Sequence, residues 1–426
     1  MERPSGKLFL TAFLFLLMEN NSCPQQDIIQ VSIPITLTEY LSNVAKGNLG
    51  YTAGRYNVSI AEAGLKAAKV FPDPEIAVVY TNNEDQTLQM GQSIETALSY
   101  PVNMGNKRGA AIAVARSQFE LAEAMLEAHF QHLKADATKY FFAAMKEQQI
   151  YQLHVDTYQS LKRLAEADSI RFAKGEITEI DALQSALEAK TQLNQVSQSG
   201  AEMHNMLINL SLLQGKALPD TLYIPSGQFL QLQKTYNLSE LIQVALHNRA
   251  DMQVAIKSKN VSDKTVRLKR ANRAFEFSLE AGYAHNSIVE NEIAPAPAHN
   301  SYSGGLSIPL KFSSLNKGDL QAARFAAGQY EIASREAELQ ITAEVVQAYH
   351  IFKAREKQLD HYRQGWVENA EKILKGRIYL YQRGECGLLD VLNAQRTYYD
   401  LRKEYYDTLY EFTAAWIELE RAAALY

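Results

Sequence analysis

FAKGEITEIDAL, from Phe172 to Leu183, returns later in the chain as YQRGECGLLDVL, from Tyr381 to Leu392, and each copy reads as the end of one helix and the start of the next. Gly175 and Gly384 fall where a helix must stop, because only Gly takes a left-handed C-terminal cap without steric cost. Each is followed by an acid, Glu176 or Glu385, suited to the positive end of the incoming helix dipole. Six residues past each Gly stands an Asp, Asp181 and Asp390. The copies lie 209 positions apart, and the same offset relates Gly109 to Gly318, so the chain reads as one unit duplicated.

Outward from these turns the same order of elements is expected twice. Thr36 with Glu39, and Asn237 with Glu240, have the spacing of a capping box and open helices expected to run to about Phe71 and Ala274. Pro72 and Pro74 stop the first. The period then changes to two. Leu88, Met90, Ile94, Leu98 and Tyr100 alternate with Gln89, Gly91, Ser93, Glu95 and Ser99, after a shorter strand from Glu75 to Thr81. Phe275, Phe277, Leu279, Ala281 and Tyr283, then Tyr302, Leu306, Ile308, Leu310 and Phe312, repeat the pattern. Such strands match a transmembrane β-strand, apolar toward lipid and polar toward a lumen; a soluble half-buried sheet alternates in the same way.

From about Asn106 to Lys174, and from about Ser314 to Arg383, no proline interrupts the chain. A continuous helix of that length is on the order of 100 Å long, too long for a compact domain. Apolar residues keep a seven-residue beat: Phe130, Ala137, Ala144, Tyr151, Tyr158, Ala165 and Phe172 in one, Val345, Phe352, Leu359, Trp366, Ile373 and Leu380 in the other. Ala182, Ala189, Val196, Met203 and Leu210, and Val391, Tyr398, Tyr405, Phe412 and Leu419, continue it in the return helices. That repeat implies coiled-coil packing with a left-handed supercoil. The expected division is a first repeat over 36–215 (β-hairpin 75–102, helical hairpin 106–214), an irregular connector over 216–236, and a second repeat over 237–424 (β-hairpin 275–312, helical hairpin 314–424).

The N-terminus carries Arg3 and Lys7 before an apolar run from Leu8 to Met18, the layout of a secretory leader over residues 1–23. Cys23 stands where a lipoprotein cysteine would, although Asn20 occupies a position that usually holds Leu. No stretch reaches the ~20 apolar residues of a membrane-spanning helix. A net charge of -5 with interspersed signs supplies no basic stripe for nucleic acid. Neither a Ser/His/Asp arrangement, a Cys pair nor a phosphate-cradling Gly loop signals catalysis, and no cofactor is expected. His129 and His132, and the group Met203, His204 and Met206, read as packed or solvated side chains rather than metal ligands. Cys386 has no evident disulfide partner.

The duplicated order, the tip motifs GEITEIDAL and GECGLLDVLNAQ, and the strand exits ALSYPVNMGNKRGA and GLSIPLKFSSLNKGD resemble the TolC family of outer-membrane efflux proteins. FPDPEIAVVYTN followed by NKRGAAIAVA is most similar to its heavy-metal, CusC and CzcC type branch, although Asp73 stands where those members usually carry Asn. The resemblance implies a mainly α fold with a transmembrane β segment, a homotrimer with a 12-stranded β-barrel continuing into a periplasmic α-barrel, a periplasmic membrane-fusion adaptor, and an inner-membrane RND-type pump as energy source. It further implies that Asp390 belongs to an acidic constriction at the periplasmic tip, that Asp181 helps latch the helices, and that Gly175, Glu176, Gly384, Glu385 and Cys386 meet the adaptor. Asn393 replaces the second Asp of that constriction, which weakens charge repulsion there. The cargo so implied is metal cations, with drug efflux or type I secretion as the alternatives. A soluble exported coiled-coil scaffold and a periplasmic metal-dependent enzyme are the readings from other classes.

Overall fold

The computed structural model describes residues 31–83, 89–216, 221–229, 234–310 and 317–426. The leader, Cys23, Leu88, Phe312 and the expected helix start at Ser314 lie outside them. In chain order the elements are β1 (Val31–Ile35), α1 (Leu37–Gly47), α2 (Leu49–Ala68), β2 (Glu75–Asn82), β3 (Gln92–Asn103), α3 (Lys107–Ala173), α4 (Glu179–Leu213), β4 (Thr221–Pro225), α5 (Leu238–Asn248), α6 (Ala250–Ala271), β5 (Glu276–Asn286), β6 (His299–Ser307), α7 (Lys317–Tyr362), α8 (Trp366–Gln382) and α9 (Leu388–Ala422).

Both opening helices start at the expected cap residues, the second with Asn237 accepting from the Ser239 N–H at 3.0 Å in place of the expected box with Glu240. Thr36 and Glu39 close a reciprocal capping box, with the Thr36 N–H donating to Glu39 Oε2 at 3.1 Å. Neither helix then continues unbroken to Phe71 or Ala274. Both break twelve residues past the cap, at Asn48 and Arg249, where ψ turns to 121° and 129°. Asn48 restarts the helix by accepting from the Tyr51 N–H at 2.9 Å, and its amide donates to the Leu213 carbonyl at 3.1 Å. The backbones of Gly47 and Gly215 cross here so closely that a Cβ on either would overlap the other strand of chain.

Within the connector, Thr221–Pro225 form a strand, β4. β4 lies parallel to β1, with Val31 opposite Thr221 and Ile35 opposite Pro225. Leu222 and Ile35 join Tyr40, Phe141, Phe142, Leu210 and Ile417 in a core that binds β1, α1, β4 and the end of α9 to the middle of the long helices. A second core, with Leu241, Val345, Phe352, Phe412 and Leu419, does the same for the second half.

The four remaining strands form one antiparallel sheet in the order β2-β3-β5-β6, so the central β3–β5 ladder joins the two halves. The register places Tyr80, Ile94, His285 and Asn300 in one cross-strand row, and Val78, Thr96, Tyr283 and Tyr302 in another. Ile76, Leu98, Tyr100, Leu279 and Leu306 share that face, and they remain exposed, with Ile76 at 71% and Tyr302 at 82%. Glu95, Ser99, Glu280, Ser303 and Asn286 occupy the other face. β6 begins three residues before Tyr302 and ends at Ser307, so Ile308 and Leu310 lie beyond it.

α3 is a single helix of 67 residues, about 100 Å long. Its counterpart is two helices, which corrects the expectation of one helix to Arg383. At Gly365 φ is 90°, the Gly365 N–H closes onto the Tyr362 carbonyl at 3.1 Å, and Trp366 packs on His361 and Tyr362. The turn shifts the heptad phase. Val345, Phe352 and Leu359 are buried in the expected register, after which Ala370, Leu374 and Tyr381 take the seam. Trp366 and Ile373, expected in the seam, are 46% and 60% exposed. An insertion of this kind is a local departure from a strict seven-residue repeat. In α9 the beat persists, with Val391, Tyr398, Phe412 and Leu419 all buried.

Candidate functional site at the helical tip

Both hairpin turns are closed by one hydrogen-bond scheme. The Gly175 N–H donates to the Phe172 carbonyl at 2.8 Å and the Glu176 N–H to Arg171 at 2.9 Å. In the second copy Gly384 donates to Tyr381 at 3.0 Å and Glu385 to Leu380 at 2.9 Å. With φ of 75° and 74°, and open space where a Cβ would sit, the two glycines are required by backbone conformation rather than by crowding.

The helices that follow start on the two aspartates. Thr178 Oγ1 accepts from the Asp181 N–H at 3.2 Å and donates to Asp181 Oδ2 at 2.7 Å. Asp390 Oδ2 accepts from the Gly387 N–H at 3.3 Å. Both carboxylates therefore support a helix N-terminus, where the macrodipole favours them. Asp390 is exposed, and Asn393, also exposed, lies one turn on along the same face. Glu176 pairs with Arg171 at 3.5 Å and Glu385 with Arg383 at 3.0 Å. Cys386 is half-buried, free among the described residues, with its thiol 3.5 Å from the Arg377 carbonyl.

Between the two turns lies a contact that sequence reasoning misses. Asp168 on α3 is fully buried, and Tyr381 on α8 donates its phenol to Asp168 Oδ1 at 2.8 Å. Arg171, one turn beyond Asp168, holds its guanidinium 4.8 Å from the centre of the Tyr381 ring. Burial, and then the Asp168 carboxylate, push the Tyr381 phenol well above its ordinary value. Leu161, Ala189, Leu388 and Val391 pack around the pair and join α3, α4, α8 and α9. A signal was available in the repeat itself: Tyr381 carries a hydroxyl where the first copy has Phe172.

The other residues singled out by type separate in space. His132 pairs with Asp251 at 3.4 Å, while His129 stacks on Tyr51. Met203 and Met206 pack against the central core, and His204 Nδ1 lies 2.8 Å from the Gly200 carbonyl. Among the described residues no group of three or more His, Cys, Asp or Glu is placed to hold a metal, and no helix is long and apolar enough to cross a membrane.

An amphipathic four-stranded sheet set on paired helical hairpins, with two acidic turns at the far end, is a fold shared with solved outer-membrane channels. The outer membrane efflux protein family model matches residues 241–425 of the chain. The chain is 23% identical over 376 residues to the cobalt-zinc-cadmium resistance protein CzcC of Cupriavidus metallidurans, covering 88% of this chain and 87% of that protein. Its fold is that of solved channels: a membrane protein from Pseudomonas aeruginosa (TM-score 0.74, 17% identity, 91% of this chain and 93% of the other) and the CmeC outer membrane channel of Campylobacter jejuni (0.74, 15%, 91% and 85%). CusC matches as well (0.73, 17%, 91% of each chain). The matched family model and the solved CmeC channel are alike of the outer membrane.

Proposed function

We propose that three copies of the chain close their sheets into a 12-stranded barrel and their helices into a periplasmic tunnel, forming the passive duct of a tripartite system that exports heavy-metal cations. One observation carries the assembly: a four-stranded sheet with an exposed apolar face whose outer strands, β2 and β6, each have a neighbour on one side only among the described residues. Four strands cannot close, and an open edge in hydrocarbon leaves backbone groups unsatisfied at several kcal/mol each, whereas twelve strands close around a passage. The exposed Ile180, Leu183 and Leu187 on α4 give the helices a matching surface for neighbouring copies.

In this assembly the tip turns, Gly175 with Glu176 and Gly384 with Glu385 and Cys386, meet a periplasmic membrane-fusion adaptor, and an RND-type inner-membrane pump supplies the energy. Asp390 and Asn393, exposed on one face of α9, line the constriction from each copy, and Asp181 supports the latch. With one Asp per copy rather than two, the ring carries less mutual repulsion and less cation attraction. Cys23 is a site for a lipid anchor in the outer membrane. Likeness to a cobalt-zinc-cadmium resistance protein supports metal cations as cargo.

Growth of a strain lacking the gene, on graded cobalt, zinc and cadmium, tests the cargo. Loss of metal tolerance, restored by the gene, is expected; unchanged metal tolerance with new drug sensitivity would transfer the duct to drug efflux.

A further inference from the structure

Beside the Asp168–Tyr381 contact, α3, α8 and α9 enclose a groove of about 320 Å³, at the small end of ligand pockets, which span roughly 300–1,000 Å³. Its lining is mainly apolar, with Leu161, Leu164, Ile378 and Val391 facing the same space as Asp168 and Arg171. Two polar atoms there have no hydrogen-bond partner among the described residues: Asp168 Oδ2, on a side chain with no exposed surface, and Arg171 Nη1. Arg171 Nη1 lies 3.8 Å from Asp168 Oδ1, beyond hydrogen-bonding distance. Both atoms are covered, Asp168 fully and Arg171 on a side chain that is 22% exposed, so one unmet acceptor and one unmet donor lie just behind an apolar surface and a ligand reaches them by displacing the Arg171 side chain. Leaving such groups unpaired is costly, so a ligand that satisfies both is favoured over one that satisfies either alone.

We infer that this groove is a binding site for a small neutral molecule that carries a primary carboxamide on an apolar or aromatic body. The amide N–H donates to Asp168 Oδ2, the amide oxygen accepts from Arg171 Nη1, and the body lies on Leu161, Leu164, Ile378 and Val391. A carboxylate in the same place would set its charge against Asp168, and a ketone would leave Oδ2 unmet. The occupant would bridge the first helical hairpin to the second just above the tip turns. This requires neither the assembly nor the cargo proposed above, and its test reads binding rather than transport.

Equilibrium dialysis of radiolabelled benzamide against the full chain in lipid nanodiscs, with empty nanodiscs as reference, is the direct measurement. Saturable binding is expected, about tenfold tighter than for acetophenone, which keeps the ring and carbonyl but loses the donor. Asp168→Asn preserves an acceptor for the Tyr381 phenol and puts an amide donor where Oδ2 stood, so it is expected to abolish or reverse that preference. Leu164→Trp fills the groove and is expected to remove binding of both probes. Absence of saturable benzamide binding to the unaltered protein, or an unchanged benzamide preference in Asp168→Asn, overturns the assignment and leaves the groove as a site for water only.

Discussion

The phenol of Tyr381 donates a 2.8 Å hydrogen bond to Asp168, whose side chain has no exposed surface, and the pair ties the second helical hairpin to the first. Tyr381→Phe keeps the ring against Arg171 and removes only the donor. Because a buried carboxylate oxygen is then left unmet, a loss of about 1–3 kcal/mol is expected in chemical denaturation, together with a higher open fraction in single-channel records. A variant with unaltered stability and unaltered gating would remove the pair from any role in holding the tip.

Two acidic groups near the middle of the molecule are held far below the usual carboxylate range. For Asp251 the His132 hydrogen bond lowers it most, burial opposes, and Arg249 adds to the lowering, leaving it at about 2. For Glu418 burial raises the carboxyl, but the hydrogen bonds from Arg421 and Lys139 outweigh it and bring it to about 2. A folded-state value below the unfolded one contributes stability that is present above about pH 4 and is lost as pH falls toward 2. The denaturation midpoint of the full chain is expected to fall over that window, and Glu418→Gln to flatten the fall while lowering the midpoint at neutral pH. An equally steep acid limb in Glu418→Gln would show that this group is not responsible.

The turn at Gly365 fixes which face of α8 is buried, and adjacent residues report it. Leu374→Ala empties a buried position and is expected to cost about 2–5 kcal/mol, whereas Ile373→Ala, at a 60% exposed position, should cost about 1 kcal/mol or less. Reversed values would restore the unshifted heptad.

Glycines of two kinds are separable by substitution. Gly175→Ala and Gly384→Ala place a methyl in open space and are expected to cost about 1 kcal/mol each through the left-handed backbone alone. Gly47→Ala drives a methyl into the Gln214 carbonyl and should cost more than either in the same denaturation assay. Equal costs would mean that the close approach of Gly47 to Gln214 relaxes freely.

Much of this was legible because duplication and periodicity are local signals. The cap residues Thr36 and Asn237, the turn glycines 175 and 384, and the two-residue alternation of Ile76, Leu98, Leu279 and Leu306 each act within a few positions, so a reader of one dimension sees them. β1 and β4 escaped because each is only five residues long and their partner lies some 190 positions away. The phase shift at Gly365 escaped because a single Gly inside a helix can be tolerated, and only packing reveals that this one turns the chain. Nothing local in the sequence marks Asp168, whose burial depends on α8 and α9 arriving from the other half.

Asp390 caps its own helix through the Gly387 N–H, so its charge must be tested without losing that bond. Asp390→Asn keeps an acceptor and removes the charge, and in the proposed trimer it is expected to relieve block by added divalent cation at the tip. Block of equal depth in the variant would place the constriction elsewhere.

Single-channel recording of the purified full chain in planar lipid bilayers tests the central claim most directly. Discrete, long-lived conductance steps, borne by a particle of three chains in detergent, are the predicted result. A monomer that extracts without detergent and leaves the bilayer silent would contradict it.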